Sequence, residues 1–243
     1  MSGRIVVFGN SHTEAIASAA REGVHFNGVS KIDLLWLKTA RHGTVELEDA
    51  LDVMRGLAPE DVLAITYLGT MHNRYGLFEH ERPIGIMRHV GGDHDGGREL
   101  IPTALLRQHF AQCISEERII IRIVKIAGCQ IVHFPPPPPK RNLTSATKQS
   151  LRADGALVTL KFAQPALRLA IREIELEAVG GYLKQLGVSA LPAPVEALDE
   201  EGFLKVSHAA SDATHANAAY GNLVLHQILD VIRKGTAAEG EPR

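Results

Sequence analysis

The feature that most constrains this chain is a repeated alternation between short β-branched runs and longer stretches of helical period. "RIVVF" at 4–8, "IDLLWL" at 32–37, "DVLAITYL" at 61–68 and "QIVHF" at 130–134 read as strands, with a weaker fifth at 188–191. Helical patterns are predicted near 12–22, 46–56, 103–127, 143–152, 165–186 and 216–233. Strand and helix in turn is the signature of βαβ units and a parallel sheet. Parallel crossovers are right-handed, which distributes the helices over both faces. The expected fold is a three-layer α/β/α, doubly wound (flavodoxin-like), parallel five-stranded sheet.

With 243 residues, 45% of them apolar, the chain can bury a substantial core without staples. No internal repeat or second boundary stands out, so one domain over 1–234 is expected, with "GTAAEGEPR" at 235–243 as a frayed tail. The run "FPPPPPK" at 134–140 is read as a stiff exit from the fourth strand rather than a linker, since five prolines span only about 15 Å. The isoleucine-rich stretch of Ile119, Ile120, Ile121, Ile123, Val124 and Ile126 is read as a core segment.

Charge and cysteine content narrow the partners. Lys and Arg total 26 against 28 Asp and Glu, and they are scattered, so the basic face that nucleic acid requires is not expected. Cys113 and Cys129 show no CxxC spacing and are expected to be buried, reduced thiols, which suits a reducing compartment. The first apolar run is too short for a signal peptide or a membrane span, which makes a cytoplasmic location the expectation. No feature demands an oligomer, and the oligomeric state stays open.

In doubly wound folds ligands sit beyond the carboxyl ends of the strands. Four polar segments occupy such places: Gly9–His12, Thr39–Thr44, Gly69–Asn73 and the run before the last helix. Near the N-terminus, Ser11 followed three residues later by Glu14 has the spacing of a capping box. The same strand–turn–helix context would present Ser11 as a nucleophile. Near the C-terminus, Asp212 and His215 are three apart just before a helix. A general base needs a carboxylate on its second ring nitrogen to fix its tautomer, and this spacing supplies one. Asp212 as a simple helix cap is the competing reading.

Gly9-Asn10-Ser11-His12, together with Asp212-Ala213-Thr214-His215 at the other end of the chain, resembles the SGNH (GDSL-like) hydrolase superfamily. The resemblance extends over nearly the whole chain and takes in the "DEEGFL" run at 199–204 and the proline-rich strand exit. It implies Ser11 as nucleophile, His215 as general base and then acid, and Asp212 as the group that orients the imidazole. It implies oxyanion donors from the Ser11 backbone N–H, a glycine after the second strand and an asparagine after the third. Gly43 is the candidate glycine, with a positive-φ turn residue as its other reading. The third strand ends "YLGTMHN" where the family usually has Gly-x-Asn-Asp, so the asparagine position is shifted. Asn73 is the candidate donor, with Thr70 as its substitute. His12 and His72 are further candidates for lining a substrate pocket. His12 otherwise reads as a first-turn helix residue, and His72 as a partly exposed loop histidine.

The function so implied is ester hydrolysis through an acyl-enzyme, on a small-molecule or carbohydrate ester, with no metal or organic cofactor. Acyl transfer to another alcohol uses the same parts, and a non-catalytic binding module on the same fold is a further alternative. The long stretch 70–102 shows no clear period and is expected to be a functional or mobile loop. Within it His89, Asp93, His94 and Asp95 crowd together, yet fit no helical metal-binding spacing and are read as a surface or lid loop. No GxGxxG or Walker-type glycine loop follows any strand, which leaves nucleotide binding without support.

Overall fold

Alternation along the first strand explains the layering. In β1 (Ile5–Gly9) every residue is buried, and successive side chains point to opposite faces. Ile5 and Val7 join one apolar cluster, while Val6 and Phe8 join the other. A strand that is apolar on both faces can sit only between two helical layers. The computed structural model describes residues 3–22, 32–39, 43–87, 97–143, 147–151 and 157–238.

From β1 the chain runs through α1 (Thr13–Arg21), β2 (Ile32–Trp36), α2 (Leu47–Arg55), β3 (Val62–Thr66) and α3 (Met71–Gly76). A short parallel pair follows, β4 (Ile84–Met87) and β5 (Glu99–Pro102), then α4 (Thr103–Ser115), α5 (Arg118–Ile126) and β6 (Gln130–His133). The antiparallel hairpin of β7 (Thr147–Leu151) and β8 (Leu157–Lys161) precedes α6 (Pro165–Gln185), β9 (Ser189–Ala190) and α7 (Ala218–Ala238). The main sheet has five parallel strands in the order β2-β1-β3-β6-β9. Residues of α1 and α7 cover one face, and residues of α2, α4, α5 and α6 cover the other. This is the expected three-layer doubly wound architecture. Gly9, the last residue of β1, lies opposite Trp36 and Thr66, which places the segment after it at the carboxyl edge of the sheet.

The prolines after β6 raise a problem of polar accounting. Residues 134–140 are buried, and a proline carbonyl still needs a donor there. Two buried arginines of α6, one helical turn apart, supply several. Arg172 Nη2 donates to the Pro136 carbonyl at 3.1 Å, and Arg168 donates to the carbonyls of Lys140 and Arg141 at 2.7 and 2.9 Å. The Leu204 N–H donates to the Pro139 carbonyl at 3.0 Å. The run is thus a built-in part of the core, as a stiff strand exit.

Several expectations are corrected. The stretch 143–152 contains strand β7, not a helix, because Thr147–Leu151 pairs antiparallel with Leu157–Lys161. The stretch 70–102 contains α3, β4 and β5, while 88–96, with His89, Asp93, His94 and Asp95, lies outside the described residues. The helix expected over 103–127 breaks at Glu116–Glu117. There Glu117 takes an extended conformation and its carboxylate caps α5 by accepting from Ile119 N–H at 3.1 Å. Of the isoleucine stretch, Ile120 and Ile123 are fully buried and the other four are half-buried. Cys113 and Cys129 are free thiols, but half-buried rather than buried. α7 continues to Ala238, three residues beyond the start of the expected tail at 235, and 239–243 lie outside the described residues. No described helix is long and apolar enough to cross a membrane.

Candidate active site

Ser11 follows the end of β1 by two residues, where a tight turn passes into α1. Gly9 makes this turn possible by close approach. A Cβ there would lie 1.9 Å from Thr66 Oγ1 and 2.8 Å from Thr13 Oγ1, two hydroxyls that are themselves bonded at 3.0 Å. The end of β1, the end of β3 and the start of α1 are therefore locked together beneath the serine. The capping-box reading does not hold. The residue at the N-cap is His12, in αR conformation, and no side chain caps α1. Neither Ser11 nor Asn10 caps the helix, and the buried Asn10 Oδ1 has no partner among the described residues. Among the described residues, the Ser11 backbone N–H has no acceptor either.

The segment before α7 divides two jobs that the sequence left entangled. Asn217 caps α7: its Oδ1 accepts from Tyr220 N–H at 3.3 Å, while its amide donates to Ser207 O at 2.8 Å. Asp212 is thereby released from the capping role. Its Oδ1 accepts from the N–H groups of Thr214 at 2.8 Å and His215 at 2.7 Å, and its Oδ2 lies 2.8 Å from His215 Nδ1. Partial burial works against ionisation of Asp212, but these N–H groups and the imidazole hold its carboxyl below the usual range. An ionised carboxylate only accepts, so Nδ1 faces it as a donor, and in the neutral imidazole Nε2 is the nitrogen left with a lone pair. The turn is closed by Ala210 N–H donating to His215 O at 3.0 Å.

Ser11, His12, Asp212 and His215 line one cleft of about 420 Å³, with Pro137 and Tyr220 among its walls. Among the described residues no hydrogen bond joins the Ser11 and His215 side chains, and such contacts commonly tighten only with substrate. The rings of His12 and His215 are 5.1 Å apart. Burial, then the imidazoles of His215 and His72, push His12 down to about 3, so it is neutral at ordinary pH.

The other expected residues lie elsewhere. Gly43, Thr70, His72 and Asn73 do not line this cleft. Gly43 has φ +95°, and a Cβ there would lie 2.2 Å from Leu37 O, which is the geometry of a turn glycine. Thr70 is the N-cap residue of α3, without a side-chain cap, and Asn73 lies within that helix. His72 is buried, not a partly exposed loop residue: its Nδ1 lies 2.8 Å from Glu175 Oε2. Glu175 also accepts from the N–H groups of Met71 and His72 at 2.9 and 2.7 Å, so it caps α3 from across the core. Arg168, Arg172 and Glu175 were not anticipated. Their signal was present, since charged residues at i, i+4 and i+7 share a helix face with Ile171 and Leu167. Among the described residues no cluster suited to a metal ion is found.

No family model and no curated protein matches the sequence. Solved structures do match. The periplasmic domain of a lipopolysaccharide acetyltransferase from Salmonella ser. Paratyphi A is 13% identical, with 96% of this chain and 84% of that one covered and a TM-score of 0.51. An extracellular lipase from Streptomyces rimosus is also 13% identical, with coverage of 95% and 99% and a TM-score of 0.49. A GDSL-like lipase from Bacteroides thetaiotaomicron is 11% identical, with coverage of 96% and 89% and a TM-score of 0.46. At these identities the likeness is one of fold, a three-layer α/β/α built on a five-stranded parallel sheet.

Proposed function

We propose that this chain is a serine-dependent ester hydrolase of the SGNH type. One observation carries the reading above the rest. A carboxylate that does not have to cap α7 fixes the imidazole of His215 at 2.8 Å, in the cleft that Ser11 lines. In this scheme Nε2 of His215 takes the Ser11 proton as Oγ adds to the ester carbonyl. Asp212 holds the ring in the productive tautomer and stabilises the imidazolium that forms. Collapse of the tetrahedral adduct expels the alcohol, which receives that proton, and leaves an acyl-serine. Water, deprotonated by the same nitrogen, then releases the acid and restores Ser11.

The oxyanion requires donors fixed in advance. The free N–H of Ser11 is one, and Gly43 and Asn73 are assigned the others. His12, neutral and against the His215 ring, is assigned to the substrate side of the cleft. Thr70 is kept as the substitute oxyanion donor, and His72, held by Glu175 in the core, is not given a substrate role. The substrate is an acyl or carbohydrate ester small enough for the cleft, and transfer to an alcohol other than water would proceed from the same acyl-serine. We assign the chain to the cytoplasm and treat 1–234 as a single functional domain.

The test is a fluorophosphonate probe followed by intact mass and peptide mapping, with hydrolysis of p-nitrophenyl acetate measured in parallel. A covalent adduct at Ser11, absent in Ser11→Ala and strongly reduced in His215→Ala, is the expected result. Folded protein that neither labels nor turns over the ester would favour a binding module instead.

A further inference from the structure

Lys140 is the residue that ends the proline run, and its root is held on two sides. Arg168 Nη1 donates to the Lys140 carbonyl at 2.7 Å, and Leu204 pairs with Lys140 through a parallel bridge. The prolines before it have fixed φ, so the backbone at 140 cannot swing as a surface loop would. Its side chain is only 8% exposed and does not end in solvent. Nζ donates to the Ala210 carbonyl at 2.6 Å and to the Asp212 carbonyl, and lies 3.9 Å from Asp212 Oδ1. A lysine loses much rotamer freedom when it is ordered in this way, and a buried ammonium must be matched by acceptors. Both carbonyls belong to the turn that carries the acid and the base.

We propose that Lys140 is a positioning residue for the Asp212–His215 turn, a buried ammonium clamp delivered by the proline run. The inference rests on the ester-hydrolase reading given above. A neutral donor could hold the two carbonyls. A cation also favours the ionised form of Asp212, the form that orients the imidazole, and opposes protonation of His215. The titratable groups beside His215 are Asp212 on its own turn and His12 from the start of α1, with Glu14, Glu22 and Tyr220 elsewhere on the cleft wall, and Lys140 reaches the same turn through Asp212. Removing the ammonium should loosen the turn and let His215 take a proton at higher pH. Lys140 does not line the cleft of Ser11 and His215, so binding should change less than turnover.

The experiment compares K140M, K140Q and K140R with wild type, in p-nitrophenyl acetate kinetics against pH and in hydrogen–deuterium exchange of residues 208–216. In K140M, kcat should fall by about tenfold to 100-fold with KM changed by less than about twofold, since misplacing a catalytic group by about 1 Å has a cost of that order. The acid limb of kcat/KM should move to higher pH, exchange over 208–216 should quicken, and K140R should recover most of each. K140Q keeps a donor without the charge, and takes the place of K140M should that variant not fold. Folded K140M or K140Q with wild-type kcat, pH profile and exchange overturns the clamp. A loss that K140R fails to recover, with the acid limb unmoved, overturns it too, because the residue then merely fills space. Wild-type protein that shows no turnover and no Ser11 labelling overturns the hydrolase reading instead. Exchange then decides the clamp alone: faster exchange at 208–216 in K140M supports it, and unchanged exchange rejects it.

Discussion

Two carboxylate–imidazole pairs of the same length occupy very different places in this molecule. Asp212 meets His215 at 2.8 Å with the two side chains 53% and 30% exposed, and Glu175 meets His72 at 2.8 Å with the two at 0% and 3%. In both pairs Nδ1 faces the carboxylate. In both, the carboxylate also accepts backbone N–H groups at the start of a local structure, the 212–215 turn in one and α3 in the other. The difference is access. His215 stands at an open cleft, 30% exposed, whereas His72 is enclosed between α3 and α6. Pair geometry alone therefore does not identify a catalytic base; the same bond can serve chemistry or cohesion, and solvent decides which.

The contrast can be broken most directly at its exposed end. His215→Ala should lower kcat/KM for p-nitrophenyl acetate by about 10³-fold or more, while urea unfolding shifts by no more than about 0.5 kcal/mol. A fall of less than tenfold would remove the distinction between the pairs. At the buried end the order of effects should reverse. Glu175→Ala strands three donors in the core and should cost about 3–5 kcal/mol in urea unfolding, and a stability loss below about 1 kcal/mol would show the pair to be dispensable. Next to His72, Asn73 sharpens the comparison: Asn73→Ala should reduce kcat by about tenfold if its amide meets the oxyanion. An unchanged kcat would assign the whole α3 start to cohesion and move the donor role to Thr70 or to backbone groups.

The smallest expected effect concerns acid. Burial pushes His133 down to about 4, and burial with neighbouring imidazoles pushes His12 down to about 3. Both bind protons more readily when unfolded, with an ordinary pKa of about 6.5. Their contribution is therefore complete above about pH 6.5 and is lost as pH falls toward 4 for His133 and 3 for His12. Urea midpoints measured from pH 7 to pH 4 should decline, and His133→Gln should flatten the decline. An equal slope in that variant would show His133 to be uninvolved.

What could be read from the sequence follows the range of the forces involved. The strands of the sheet were legible because burial on both faces demands unbroken apolar runs, as in Ile5–Phe8 and Val62–Ile65. The Asp212–His215 spacing was legible because the contact is local. Glu175 meeting Met71 and His72 was not, since those bonds join residues more than 100 positions apart. Nor were the partners of Arg168 and Arg172, which are carbonyls that only the folded proline run brings to them. The expected helix at 143–152 failed because Thr147–Leu151 finds its partner in Leu157–Lys161, and strand pairing overrides weak helical spacing. The capping-box spacing of Ser11 and Glu14 misleads for the opposite reason: a correct local spacing does not oblige the hydroxyl to bend back onto its own helix.

The last strand carries a consequence for self-association. β9 is two residues long, and it pairs with β6 through only Val132–Ser189 and His133–Ala190. A longer border strand would offer a row of unpaired amides and carbonyls on which another chain could template itself. Here a would-be intruder finds two rungs of ladder, on small side chains that add little apolar grip. Lengthening that border, for instance by extending alternating valines from 188 to 193, should therefore promote fibrillar or sheet-joined oligomers while leaving the opposite end of the molecule untouched.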